Sequence, residues 1–380
     1  MNRISTVFAF VGLCVLSGTV MADTPEPADG VLVLAGQNLR ATHAYYYDER
    51  LPKPAGFSDY ISYDVDQPYA ANAPDAPRSY RGNEALLAPT NWGAGVQCVD
   101  CILQEPALDP AVVNIGFYMA GPKDVDGQQC RGTPKCNAYK IASGEYDAYL
   151  DEFARWAKSL NALVLLRIGY EFDGEWNNYD PAQFKAAFKY IHQYMDNKGV
   201  DNIEYVLHSV GAASRETLLA YYPEPDEASS KYVDWIGYSY FTIDPESRGV
   251  NELALARERG IKAFIGEAAP HTGDCTKQID MATNPALAMR WIDGFISHIE
   301  RNKDVIGAIA YINADWSDTV YSPMWTEQTD QGCNGFFAQS NSRLNDNDQV
   351  IRYWAKKISA PLFINQDRAR EWLKKTSRSL

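Results

Sequence analysis

Two glutamates carry the clearest chemical signal in the chain. Glu171 follows the apolar run ALVLLRIGY (162–170), and Glu267 closes KAFIGE (262–267). An ionisable residue at the tip of an otherwise apolar strand is where a parallel α/β barrel carries its chemistry. Paired carboxyls at such tips suit hydrolysis of a glycosidic bond. One protonates the departing oxygen, and the other attacks the anomeric carbon or activates water. Their mutual repulsion raises the pKa of one and keeps it a proton donor near neutral pH. Each glutamate could instead be a salt-bridge partner of Arg167 or a surface charge. The pair, on the fourth and seventh of eight apolar runs, favours chemistry across a barrel mouth, with carboxyls about 5–5.5 Å apart for a retaining enzyme.

Other residues near the tips could serve the same site. Asp315 sits at the end of the eighth run and is the best substitute acid. Asp173 and Glu175 lie in the loop past the fourth run, where they could bind sugar hydroxyls. Trp176 and Trp316 offer indole faces on which a pyranose ring can stack. Tyr240 ends the sixth run, where its hydroxyl could hold the carboxylate of Glu267. His208 and His271 lie near the ends of the fifth and seventh runs and could bind or orient substrate. His192 and His298 fall on helices and read as surface residues. No two histidines have metal-ligand spacing, and there is no nucleophile elbow, phosphate loop or zinc-protease motif, so neither metal nor cofactor is expected.

The elements that must position these residues alternate along the chain. Apolar runs cover 30–36, 59–63, 111–119, 162–170, 202–210, 234–241, 262–267 and 307–316. Helical patterns lie between them at 145–160, 181–199, 249–260 and 285–302. The second of these opens with Asp180 as cap and Pro181 at the first helical position, and it stops at Gly199. Runs that are apolar throughout and alternate with helices imply a parallel sheet buried on both faces. Eight repeats in one domain length predict an α/β fold, a (β/α)₈ TIM barrel over 30–365 with long loops on its catalytic face. An open doubly wound sheet is the alternative, but no dinucleotide-type glycine turn follows the first run. The long connections are 38–58, 120–144 and 317–347.

Composition frames the setting. Residues 1–22 have the layout of a secretory signal peptide, and the acidic, Pro-rich 23–29 form a short lead-in. A secreted or periplasmic protein is expected, with no membrane association after cleavage. The chain has 24 Tyr, 14 Phe and 9 Trp and can bury a large core. Its net charge of −14 disfavours nucleic acid and anionic lipid, and favours a neutral glycan over an acidic one. Beyond Cys14 stand Cys98, Cys101, Cys130, Cys136, Cys275 and Cys333, an even set that reads as disulfides of open connectivity. A zinc site on the first four is the alternative. The basic segment 366–380 reads as a solvated terminal helix. A monomer is expected.

The runs RIGYEFDGEWN (167–177), DWIGYSYF (234–241), FIGEAAP (264–270) and YINADW (311–316) resemble glycoside hydrolase family 26 of clan A. Within it they are most similar to secreted bacterial endo-β-1,3-xylanases, over about residues 160–318. The resemblance implies a (β/α)₈ barrel and a retaining double displacement. Glu171 would be acid/base, Glu267 nucleophile, and Tyr240 the nucleophile's hydrogen-bonding neighbour. Trp176 and Trp316 would line the sugar cleft. Tyr170 stands where the mannanase branch has a histidine before the acid/base, which speaks against mannan. Cys275 and Cys333 would form a bridge absent from the xylanase branch. The expected substrate is a neutral β-linked polysaccharide, foremost β-1,3-xylan. A mannan, a β-glucan or a glycan-binding barrel without turnover are the alternatives.

Overall fold

The computed structural model describes residues 30–63, 82–91, 95–122, 130–241, 248–270, 280–316 and 340–376. Eight parallel strands form its centre: β1 (Val31–Gly36), β2 (Gly56–Ser62), β3 (Val112–Tyr118), β4 (Leu163–Ile168), β5 (Ile203–Ser209), β6 (Trp235–Tyr240), β7 (Lys262–Ala268) and β8 (Ile306–Tyr311). Each strand pairs with the next, and β8 pairs back onto β1 with Leu32 opposite Ala308 and Ala35 opposite Tyr311. The sheet is therefore closed, and the TIM barrel expected from the strand–helix alternation is the fold. Closure leaves no barrel edge to protect.

Helices pack around the strands, and their ends follow the local sequence. Asp180 Oδ1 accepts from the backbone N–H groups of Ala182 and Gln183, capping the helix Pro181–Asn197. Asn284 caps Pro285–Arg301 by accepting from Leu287 N. Both helices start with proline, whose missing N–H costs nothing in a first turn.

Alternation along each strand divides the core in two. One set of residues faces the helices. The other faces the barrel interior, where Leu32, Leu165, Val206, Trp235, Phe264 and Ala308 join one buried cluster towards the strand N-termini. The C-terminal segment belongs to that cluster. Its helix, Gln366–Thr376, buries Ala369, Trp372 and Leu373 under the barrel and leaves charged residues such as Lys374 outside. It is thus the barrel's floor rather than a solvated tail, because its apolar residues recur at helical spacing.

The register of β7 is irregular near its C-terminal end. On β6, Tyr238 lies opposite Ile265, but the next residue, Ser239, lies opposite Glu267. The same extra residue shows against β8, where Ile309 and Tyr311 face Ile265 and Ala268. Strand β7 therefore carries a bulge at Gly266. Bulges re-aim the side chains beyond them.

The disulfides are Cys98–Cys101 and Cys130–Cys136. The four sulfurs that a zinc site would have used are thus taken up in pairs. Cys275 and Cys333 lie outside the described residues.

Candidate active site

Glu267 reaches the barrel interior because of the bulge. Inward-facing Phe264 and strict alternation would send Glu267 to the helix side. The extra residue reverses that, and Glu267 meets residues of β2 and β4 across the interior. Its Oε1 accepts from Arg167 Nη1 at 2.6 Å and from the Tyr60 hydroxyl at 2.9 Å. Gly266 leaves the room this needs, since a Cβ there would stand 2.9 Å from His208 Nε2 and 3.1 Å from Arg167 Cδ.

Arg167 is fully buried, and a buried cation must be paired and hydrogen-bonded. Besides Glu267, it donates from Nε to Asn114 Oδ1 at 3.0 Å, and Asn114 donates in turn to Ser58 Oγ at 2.8 Å. The Tyr60 and Tyr170 rings lie 5.2 and 5.3 Å from the guanidinium carbon, so both aromatic faces help hold the charge. Tyr170 also packs edge-on against Tyr60 and tilts towards Tyr118.

Glu171 is built differently. It stands past the end of β4 on a turn with φ of +51°, following Gly169 at +56°. A left-handed glutamate is uncommon, and such strain persists only where the surroundings enforce it. Asn177 does so here, because its buried Nδ2 donates to the carbonyls of both Tyr170 and Glu171 at 2.9 Å. Gly174 N adds a third bond, to the Glu171 carbonyl. The Glu171 carboxyl accepts from Ser239 Oγ at 2.7 Å. Burial first, and the nearby charge of Glu267 second, push its pKa up to about 8. Burial also reaches Asp173, raising its pKa to about 6 although it accepts from Val210 N at 2.8 Å.

The other residues singled out from the sequence fall into two groups. His208 is fully buried beneath the two glutamates, with Nε2 3.5 Å from Ser239 Oγ and Nδ1 3.5 Å from Arg167 Nη1. It supports the site from below, out of reach of a ligand in the cleft. Trp176 is 58 % exposed, and its indole lies over Gly174, where a Cβ would meet the ring at 2.5 Å. Tyr170 lies beside Arg167 as described. These residues join Glu171 and Glu267 at one end of the barrel.

Three more have other described neighbours. Tyr240 turns towards the helix layer and packs on Trp291, Phe295 and His298. Alternation explains this, since inward-facing Ser239 sends its neighbours outward. Tyr60 makes the bond to Glu267 that the resemblance implied for Tyr240. Trp316 is buried in a small cluster with Ala41, Ala269 and Ala314, next to Phe241. Asp315 lies beyond β8, which ends at Tyr311, and bridges to Asn341. His192 and His298 are buried rather than at the surface, and His298 Nε2 is 2.7 Å from the Tyr238 hydroxyl. His271 lies outside the described residues. Among the described residues, no group of three or more His, Cys, Asp and Glu could hold a metal ion.

Tyr60, Asn114, Asn177 and Ser239 were not singled out from the sequence. Ser239 and Asn114 had a usable signal, being polar residues inside apolar strands. Tyr60 and Asn177 had none that a single sequence reveals.

Comparison with known proteins points to a family. The model of glycosyl hydrolase family 26 matches residues 88–268. A β-1,3-xylanase from Alcaligenes sp. is 26 % identical over 374 residues, covering 94 % of this chain and 69 % of its own length. One from Vibrio sp. is 26 % identical over 373 residues, covering 94 % and 70 %. Among solved structures, a Cellulomonas fimi endo-β-1,4-mannanase double mutant aligns at a TM-score of 0.54 and 13 % identity, over 93 % of this chain and 75 % of that one. A family 26 β-mannanase from Bacteroides ovatus aligns at 0.53 and 12 %, over 89 % and 91 %. At such identity the two mannanases speak for the fold alone. The barrel, the family match and the xylanase relatives together identify the chain as a glycoside hydrolase that resembles family 26 and, within it, the β-1,3-xylanases.

Proposed function

We propose that the protein is a secreted, monomeric endo-hydrolase that cleaves a neutral β-linked polysaccharide, β-1,3-xylan, with retention of configuration. The signal-like segment 1–22 supports export, and no helix among the described residues is long and apolar enough to cross a membrane. The xylanase relatives and the surplus negative charge support the substrate.

One observation carries the mechanism. Two carboxyls, one on the turn past β4 and one on β7, interact electrostatically yet are held in opposite ways: Glu267 is ion-paired with Arg167, whereas Glu171 has a raised pKa and keeps its proton near neutral pH. In this reading Glu171 protonates the glycosidic oxygen as the Glu267 carboxylate bonds to the anomeric carbon and the glycosidic bond breaks. Water then attacks the anomeric carbon and gives its proton to Glu171, and the bond to Glu267 breaks. Arg167 and Tyr60 both bond to Oε1 of Glu267, which leaves Oε2 as the attacking oxygen. Trp176 offers an exposed face on which a sugar ring can stack.

The test is a panel of β-1,3-xylan, β-1,4-xylan, β-mannan and β-glucan, scored by reducing ends, product size and the anomer first released. The expected result is cleavage of β-1,3-xylan to oligosaccharides, with the β-anomer appearing first. Glu267→Gln should lose roughly 10⁴–10⁶-fold in kcat, the range seen when one member of a catalytic unit is removed elsewhere. Glu171→Gln should lose about 10²–10⁴-fold on xylan, and much less on substrates whose leaving groups need little protonation. Parental rates in both variants would overturn the assignment. Cleavage of mannan in place of xylan would overturn the substrate.

A further inference from the structure

The carboxyl of Glu171 hangs from a turn beyond the last residue of β4, where the sheet no longer limits its rotamers. A proton donor works only when its acidic oxygen is held within a fraction of an ångström of its target. Something other than the strand must therefore fix it.

Ser239 is placed to do so. It lies in β6, is fully buried and faces the interior, with Oγ 2.7 Å from Glu171 Oε1. Its own position is tightly held. Gly211 packs so closely that a Cβ there would come within 2.3 Å of the Ser239 carbonyl oxygen, and the His208 ring lies behind the hydroxyl at 3.5 Å. Resting on the reading of Glu171 as acid/base, we propose that Ser239 is a positioning residue for it. The Ser239 hydroxyl occupies Oε1, so the transferable proton rides on Oε2, and the strength of that bond sets how readily the proton leaves.

The charges around Glu171 leave room for such a role. Glu267 on β7 and Asp173 on its own turn favour the protonated form, as does burial. Arg167 on β4 favours the carboxylate, but its charge is already engaged by Glu267. His208 on β5 adds no charge, because burial and the neighbouring Arg167 hold its ring neutral. Ser239 is the neutral donor in direct contact with the carboxyl, and a hydrogen bond to the charged form favours that form. Without it, Glu171 would hold its proton to still higher pH, and the carboxyl would be free to rotate.

The test follows the carboxyl itself. Protein carrying ¹³C-labelled glutamate is titrated by NMR, and the Glu171 signal is assigned by its loss in Glu171→Gln. The midpoint, about 8 in the parent, should rise by about one pH unit in Ser239→Ala, a tenfold change in the proton equilibrium. It should return to the parental value in Ser239→Thr, which restores a hydroxyl. The basic limb of kcat/KM on β-1,3-xylan should move upward with it, while kcat falls about tenfold and KM changes little. Should Ser239→Ala not fold, Ser239→Cys keeps the shape with a much weaker donor and gives the same readout. An unmoved midpoint overturns the proposal, as does a lost kcat with an unmoved basic limb. The titration needs no substrate. A shifted midpoint in an enzyme that leaves xylan uncut supports Ser239's hold on Glu171 and counts against xylan alone. Parental activity in Glu171→Gln removes the acid/base reading, and the role of Ser239 with it.

Discussion

The floor and the mouth of this barrel are filled by the same strands with opposite chemistry. Val112, Leu165 and Val206 face inward near the strand N-termini and lie in a wholly apolar cluster. Two residues further along the same strands, the inward positions are Asn114, Arg167 and His208. At the floor, contacts are non-directional and one apolar residue can stand for another of similar volume. At the mouth, each polar group is buried and depends on a named partner. The same strands thus carry non-directional packing at the floor and directional polar contacts at the mouth.

The largest expected effect breaks the mouth. Arg167→Met keeps the volume but leaves Glu267 buried without its cation. Loss of one member of a buried pair should lower stability at pH 7 by about 3–5 kcal/mol, measured by urea unfolding. Hydrolysis should fall as well, by roughly 10²-fold or more, on the scale of other lost charge-stabilising contacts. Leu165→Ala applies the same test to the floor. It should cost about 2–5 kcal/mol in urea, yet leave kcat of the folded enzyme within about twofold, because no partner of Glu171 or Glu267 is touched. A comparable kcat loss in both variants would erase the distinction between the two regions.

The smallest effect concerns the energetic burden of the mouth. The folded protein holds the Glu171 proton up to about pH 8, whereas an ordinary glutamate releases it near 4.5. Between those values the native state binds more protons than the unfolded state, so stability falls as pH rises. Glu171→Gln removes that dependence. Its unfolding free energy should match the parent's near pH 4 and exceed it progressively up to pH 8, by up to a few kcal/mol. Parallel stability curves for the two proteins would show that Glu171 is accommodated without burden.

The barrel and its two glutamates were legible because both rest on strong, local patterns. Eight apolar runs alternating with helices leave few other folds, and an acid closing such a run is conspicuous at Glu171 and Glu267. What surrounds the acids was less legible. Tyr240 looked like the partner of Glu267, but inward-facing Ser239 turns it towards Trp291 and Phe295. Tyr60 takes that place from β2, more than two hundred residues away in sequence. Asn177 bonds to two carbonyls of the turn at Glu171, contacts that its local sequence does not announce. The C-terminal segment showed its charges more plainly than Trp372, which sits beneath the barrel. Partners brought together by closure of the sheet leave no trace in local periodicity.

The bulge at Gly266 has a consequence for how this site can change over time. Glu267 faces inward by an odd offset from Phe264, and a single inserted residue supplies it. If the bulge were straightened with Gly266 kept in the strand, every side chain of the site would be unaltered in kind, yet Glu267 would turn to the helices; loss of Gly266 itself would leave Glu267 inward, directly after Ile265. Replacements along β7 can be tried one atom group at a time, but the choice between bulged and straight pairing is all-or-none. The reading frame of the pleat, more than the identity of its residues, is what descendants of this chain must preserve.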